Sequence, residues 1–314
     1  MAGQLSLERK DGFFVMKKKV IASVVAGVCC MTLAACGGAA GTTPETKEAE
    51  TTESAVESAA SEEVTTAAES TSASEAVEGS DVDYIKGKGT LVVGITDFEP
   101  MDYKDASGNW IGFDADLANK VGEDLGVKVE FVEIDWDNKI LELNNKSIDC
   151  VWNGMTLTDE VKTSMECTNA YCNNAQVVVV PADKAEQYKD KESVKDLTFA
   201  VEAGSAGEEA AKTEGFKTTP VTAQSDTLLE VKSGTSDAAI IDLLMAGAMI
   251  GEGTSYADLA HTVELNSEQY GIGCRKGSDL AKFINDELKK FNDDGSLKQT
   301  AEKYGVQAAL IEQK

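Results

Sequence analysis

Positive charge is scarce in this sequence. Against 55 Asp and Glu stand 29 Lys and Arg, for a formal net charge of −26 at pH 7, and the arginines are Arg9 and Arg275 alone. Nucleic-acid binding needs a dense basic face, so this balance argues against a nucleic-acid partner; on a solvated surface the acidity gives solubility. Histidine is almost missing, with His261 the single example. Cys150, Cys167, Cys172 and Cys274 match no metal-ligand spacing, so neither a metal site nor a cofactor is expected. Cys150 and Cys274 lie in apolar, strand-like runs, which favours buried free thiols. Export would permit a disulfide among the four, and the sequence does not fix a pairing. Long apolar runs are missing too: Val20 to Thr32 is too short to span a bilayer as a permanent helix.

That short run has a different use. Met16-Lys17-Lys18-Lys19 is a basic region, Val20 to Thr32 an apolar one, and Leu33-Ala34-Ala35-Cys36 places small residues before a cysteine. The pattern is a secretory signal. Its L-A-A-C ending resembles a bacterial lipoprotein signal, which implies that residues 1–35 are removed and that Cys36 carries the lipid. Residues 1–15 read as an extension upstream of Met16. From Gly37 to about Asp83 the chain is Thr, Ser, Ala and Glu with almost no large apolar side chains, so it cannot bury enough surface to offset its ordering entropy. A flexible tether of this length reaches about 35–40 Å. Residues 36–83 therefore read as a lipidated cysteine and tether, holding a folded domain at the outer face of the cell membrane.

The folded part is organised around IDCVWNGMTLTDEV, Ile148 to Val161. It reads as a buried strand from Asp149 to Trp152, a polar turn from Asn153 to Thr156, and a helix with Thr158 as N-cap and acids in its first turn. A strand that feeds a helix through a Gly-containing turn offers free N–H groups at the carboxyl edge of a sheet, where open α/β sheets bind ligands. Upstream, Gly89 to Ile95 is a strand, Tyr103 to Trp110 a hairpin, Asp114 the N-cap of a helix stopped by Gly126, Val127 to Ile134 a strand, and Trp136 to Asn145 a helix. Three β-then-α units in a row imply a parallel sheet. Downstream, strands are expected over Ala175–Pro181, Thr198–Glu202, Thr218–Val221 and Asp237–Asp242, with Ser205 as an N-cap. A strand over Gln269–Cys274 and helices over Asp279–Phe291 and Leu297–Tyr304 close the chain.

The string GTLVVGITDFEPMDY, IGFDADLANKVGEDLGV, IDCVWNGMTLTDE, VVVVPAD, LTFAVEAGSAGEEA, DAAIIDLL, EQYGIGCRKGSDL, in this order over residues 86–305, resembles the family 3 extracellular solute-binding proteins, the binding lipoproteins of polar amino-acid ABC transporters. The resemblance implies a type II periplasmic-binding-protein-like α/β fold. Lobe 1 would be 84–172 plus 270–314 and lobe 2 173–269, joined by crossovers near Tyr171–Ala175 and Ser267–Tyr270. It implies a monomer that captures an amino acid between the lobes and hands it to an ABC permease driven by its ATPase. Phe98 matches a stacking aromatic and Trp136 a second one. Gly154 and Thr156 match a lobe 1 pair that binds ligand through backbone and hydroxyl. Ser205 matches a lobe 2 hydroxyl facing the ligand carboxylate, and Asp242 the acid that receives the ammonium. A zwitterion leaving water needs a partner for each charge. Asp97 and Glu202 are further acids expected at the site.

One departure matters. After G-M-T-L-T-D-E the family places an arginine that clamps the carboxylate; this chain has Val161. Lys162 is adjacent but points about 100° further round the helix, and Glu202 stands where some relatives carry a basic residue. Two readings stay open. The ligand is an amino acid held by Thr156, Ser205 and helix N-termini, or it is a cationic, carboxylate-free amine held by Asp242, Glu202, Phe98, Trp136 and Trp152. An enzyme is a rival class, with Asp97 and Asp242 as its acids, but no nucleophile–base pair, metal cluster or phosphate loop supports it. A surface sensor on the same fold is another.

Overall fold

Thr90 to Ile95 is an apolar, β-branched run, and in the computed structural model, which describes residues 79–314, it forms β1 (Thr90–Ile95), an inner strand of the first sheet. Before it lies α1 (Asp81–Lys88), and after it the hairpin of β2 (Tyr103–Lys104) and β3 (Trp110–Ile111), which pair antiparallel. There follow α2 (Phe113–Leu125), β4 (Lys128–Glu133), α3 (Lys139–Asn144) entered through a 3-10 turn at Trp136–Asn138, β5 (Cys150–Thr156), α4 (Asp159–Ser164), β6 (Glu166–Cys167) and β7 (Cys172–Asn174). The second sheet is built from β8 (Gln176–Pro181), then α5 (Lys191–Val194), β9 (Thr198–Glu202), α6 (Ala206–Glu214), β10 (Lys217–Val221), α7 (Gln224–Ser233), β11 (Ala238–Asp242), α8 (Leu243–Met249) and β12 (Leu259–Glu264). The chain then returns to the first sheet through β13 (Glu268–Cys274) and ends with α9 (Leu280–Asp293) and α10 (Ser296–Tyr304).

The first sheet has the order β4-β1-β5-β13-β6, with β7 also on β13; the second has the order β10-β9-β11-β8-β12. In the first, β4, β1 and β5 are parallel, as the βα periodicity implies, and β13 joins antiparallel. In the second, β10, β9 and β11 are parallel and β8 is antiparallel to β11. The result is a two-lobed α/β fold whose chain changes sheets between Asn174 and Gln176 and between Glu264 and Glu268. Each sheet buries apolar side chains on both faces, which is why β8 and β11 read as unbroken apolar runs rather than alternating ones.

Several expectations need correcting. Residues 81–83 are helical, not tether: Asp81 is buried because it pairs with Arg275 at 3.0 Å, and Ser80 caps the helix by accepting the Asp83 N–H. Asn153 to Thr156 continue β5 and make no turn. The Asn153 amide is satisfied inside the sheet, accepting from Thr96 and donating to Thr96 O and Asp102, so a polar residue costs the strand little. Asp114 is not an N-cap; α2 starts at Phe113 after Gly112, and the Asp114 carboxylate reaches Gly154 and Tyr171 instead. β12 and the short β6 and β7 were not anticipated. All four downstream cysteines are free thiols, with Cys150 facing Cys274 across the β5–β13 ladder. The signal, Cys36 and nearly all of the tether lie outside the described residues. Among those residues no helix is long and apolar enough to cross a membrane, and no cluster is suited to a metal ion.

Candidate functional site

The carboxyl ends of β1 and β5 in the first lobe face β9, β11 and the start of α6 in the second. Between them lies a cavity of about 340 Å³, walled by Phe98, Trp136, Gly154, Thr156, Glu202, Ser205 and Asp242. Seven of the eight site residues expected from sequence thus share one space. Asp97 does not. It is exposed, beside Thr96 and Glu133 on a separate depression, because β1 ends at Ile95 and the next side chains alternate outward and inward. Trp152 is not in the site either; it is fully buried in the lobe 1 core.

Phe98 and Trp136 are both nearly buried, at 3% and 7% exposure. Phe98 packs edge-on against Tyr270, ring centroids 6.3 Å apart. It can do so because position 154 is glycine: a Cβ there would lie 2.6 Å from the Phe98 ring, and Gly154 has φ +53°. The Gly154 N–H is already bonded, donating to Asp114 at 2.7 Å, so it is not the backbone group left for a ligand. The Thr156 hydroxyl donates to Glu268 at 2.8 Å and keeps its lone pairs. Ser205 is the N-cap of α6, its Oγ accepting the Glu208 N–H at 3.1 Å, and its own O–H proton has no acceptor among the described residues. An anion at the start of α6 would receive that proton and the positive end of the helix.

Asp242 ends β11 and is held from three sides. Its Oδ1 accepts from Asn174 Nδ2 and the Tyr270 hydroxyl, and its Oδ2 from Gln224 Nε2 at 2.6 Å. Burial raises its pKa to about 7, and the nearby Glu268 charge pushes the same way. Glu202 ends β9 and is also buried; burial and then Asp242 raise its pKa to about 8, and its Oε1 has no hydrogen-bond partner. Two carboxyl groups that repel each other in a low-dielectric cavity favour a cation between them.

Sequence reasoning missed Lys139. It is 7% exposed and lines the cavity, and its Nζ donates to Trp136 O at 3.1 Å and, across the cleft, to Gly204 O at 2.9 Å. The only signal was a lysine one residue after a helix-entry turn, which reads as a solvated surface position. Gly204 has φ +69°, and a Cβ there would meet the Asp137 backbone at 2.7 Å, so glycine allows the lobes to touch. Val161, at 3% exposure, packs with Leu143, Met155 and Met165. Arg275 is far from the cleft, bonded to Asp81, Asp149 and Ile148 O.

Comparison with known proteins agrees with this fold. The model for bacterial extracellular solute-binding proteins, family 3, matches residues 91–307. The arginine-binding extracellular protein ArtP of Bacillus subtilis (strain 168) is 33% identical over 246 residues, covering 74% of this chain and 91% of that protein. A probable histidine-binding protein of Neisseria gonorrhoeae is 30% identical over 239 residues, covering 71% and 87%. Among solved structures, the P235GK mutant of ArgBP from T. maritima has a TM-score of 0.67 at 36% identity, covering 71% of this chain and 98% of that one. The ancestral amino acid-binding protein AncCDT-1, a precursor of cyclohexadienyl dehydratase, has a TM-score of 0.66 at 33% identity, covering 72% and 99%.

Proposed function

Because this chain belongs to family 3 of the bacterial extracellular solute-binding proteins, we propose that it is the membrane-tethered amino-acid receptor of an ABC importer. Lobe 1 takes in residues 84–172 and 270–314, extended back to Asp81 by α1, and lobe 2 residues 173–269. Cys36 carries the lipid, and the tether leaves the lobes free to turn at the outer face of the membrane. Ligand enters the open cleft, bridges the lobes, and shifts the population to the closed form that docks on the permease.

The observation that carries this reading is Asp242. It is a buried carboxylate, positioned by Asn174, Tyr270 and Gln224, at the wall of a cavity bounded by two aromatic rings and facing the Ser205 end of α6. An α-ammonium meets Asp242, the apolar part of the ligand meets Phe98 and Trp136, and the carboxylate meets the α6 side. The relatives described as arginine- and histidine-binding proteins support an amino-acid ligand. Binding rather than catalysis is the reading they favour as well; turnover of a bound ligand would contradict it.

A second reading, a cationic ligand without a carboxylate, is favoured by Val161 in the apolar cluster and by Glu202 beside Asp242. Uptake of labelled amino acids by cells lacking this protein separates the roles. Wild-type protein restores uptake. Asp242→Ala fails to restore it, and Cys36→Ser releases a binding-competent protein from the membrane. Full uptake with Asp242→Ala would sink the assignment.

A further inference from the structure

A carboxylate drawn into this cleft needs a cationic counterpart, and the cations of the cavity lining are Lys139 and Lys212. Val161 supplies none. Arg275 is committed to Asp81 and Asp149. Lys162 is exposed and outside the cavity. Lys212 borders the cavity, but its side chain is 67% exposed and paired with Glu208 at 3.1 Å. Lys139 is different: it is buried, it lines the cavity, and neither of its hydrogen-bond acceptors is charged. The acids around it, Glu160, Glu202, Asp137 and Glu208, make no salt bridge with it, and burial lowers its pKa. A buried ammonium without a direct counter-charge is costly. Two of its three protons go to carbonyls, one on each lobe. The third has no acceptor among the described residues, and Gly204, the carbonyl already bonded, is the residue before Ser205, the N-cap of α6.

Resting on the amino-acid reading of the cleft, we propose that Lys139 is both the carboxylate anchor and the closure latch of this protein. It supplies from α3 the positive charge that the α4 position, Val161, lacks. Its bond to Gly204 O exists only when the lobes are together. A ligand carboxylate taking the third proton would therefore be held from lobe 1 by Lys139 and from lobe 2 by Ser205, and would favour closure. As a point charge lysine fixes orientation less than a guanidinium fork does, which suits a site where Ser205 and the α6 N-terminus complete the cradle.

The test is a set of calorimetric titrations of the purified protein with L-arginine, L-lysine and L-histidine, each beside its carboxyl-free counterpart, agmatine, cadaverine or histamine. Wild type prefers the amino acid of the bound pair. Lys139→Met lowers that preference about 10- to 100-fold, the range expected for loss of one charge-assisted hydrogen bond. Lys139→Arg retains most of the preference, and thermal melts of the free variants confirm that they fold. An unchanged preference in a folded Lys139→Met, whether both partners weaken equally or neither does, overturns the assignment. Failure of wild type to bind any amino acid overturns the reading beneath it, and is told apart because it appears before any substitution is made.

Discussion

Asp114 and Gly154 meet through one hydrogen bond, the Gly154 N–H donating 2.7 Å to the Asp114 carboxylate, with the Tyr171 hydroxyl on the same oxygen. That bond ties α2 to the strand that carries Gly154 and Thr156 into the cleft. It places an acid behind the site rather than in it. Burial raises the Asp114 pKa to about 7, and burial also raises that of Asp102, with the Asp114 charge adding to it. Each of the two has one buried oxygen without a hydrogen-bond partner. Asp114→Ala should destabilise the fold by about 2–4 kcal/mol in urea unfolding, because it orphans a buried N–H and a buried hydroxyl. Asp102→Asn, which imitates a neutral carboxyl, should cost about 1 kcal/mol or less. A cost for Asp102→Asn equal to that of Asp114→Ala would mean that Asp102 is held as a carboxylate in the fold.

Arg275, just after β13, and Asp149, just before β5, form a buried ion cluster with Asp81 of α1, and Lys88 also pairs with Asp149 at 2.6 Å. Breaking such a cluster from one side costs about 3–5 kcal/mol. Arg275→Met should therefore lower the unfolding midpoint strongly and leave ligand affinity almost unmoved. A chain beginning at residue 84, which lacks Asp81, should melt below one beginning at residue 79. Equal melting temperatures would show that α1 contributes nothing.

The acids of the cleft give a pH dependence with a definite sign. Glu202 and Asp242 hold their protons to about pH 8 and 7 in the fold, against ordinary values of 4.5 and 3.8. Between those limits the native state binds more protons than the unfolded chain, so stability falls as pH rises from about 4 to 8. A cationic ligand favours the ionised acids. Its affinity should rise with pH between 6 and 8, by up to about tenfold per unit for each proton released. Calorimetry in buffers of different ionisation enthalpy counts those protons, and affinity independent of pH would remove both acids from contact with the ligand.

Val161→Arg tests the anchor from the opposite side. Its side chain must leave the cluster of Leu143, Met155 and Met165, at a cost of about 1–3 kcal/mol in stability. In the Lys139→Met background it should recover the preference for amino acids over the corresponding amines. A double variant no better than Lys139→Met would place the carboxylate out of reach of α4.

Much of this was legible because it is local. Strands such as β8 and β11 carry continuous apolar runs, Thr158 and Ser205 are caps by residue type, and Phe98, Trp136, Ser205, Glu202 and Asp242 lie at strand ends where α/β sheets place ligand groups. What escaped depends on distant partners. Asn153 looks like a turn residue until Thr96 and Asp102 satisfy its amide. Asp81 looks like tether until Arg275 buries it. Asp97 looks like a site acid, yet the chain after β1 turns it outward. Lys139 becomes a cleft residue only because Gly204 of the other lobe closes over it.

The most direct measurement is a thermal-shift screen of the protein against the common amino acids together with amines, polyamines and small quaternary ammonium compounds. A ligand at 100 times its Kd adds about 2.7 kcal/mol of stability, enough to raise the melting temperature by several degrees. The cleft described above predicts a shift from one or a few amino acids, largest for those with a cationic side chain, that disappears in Asp242→Ala. A shift from amines alone, with none from any amino acid, would contradict it.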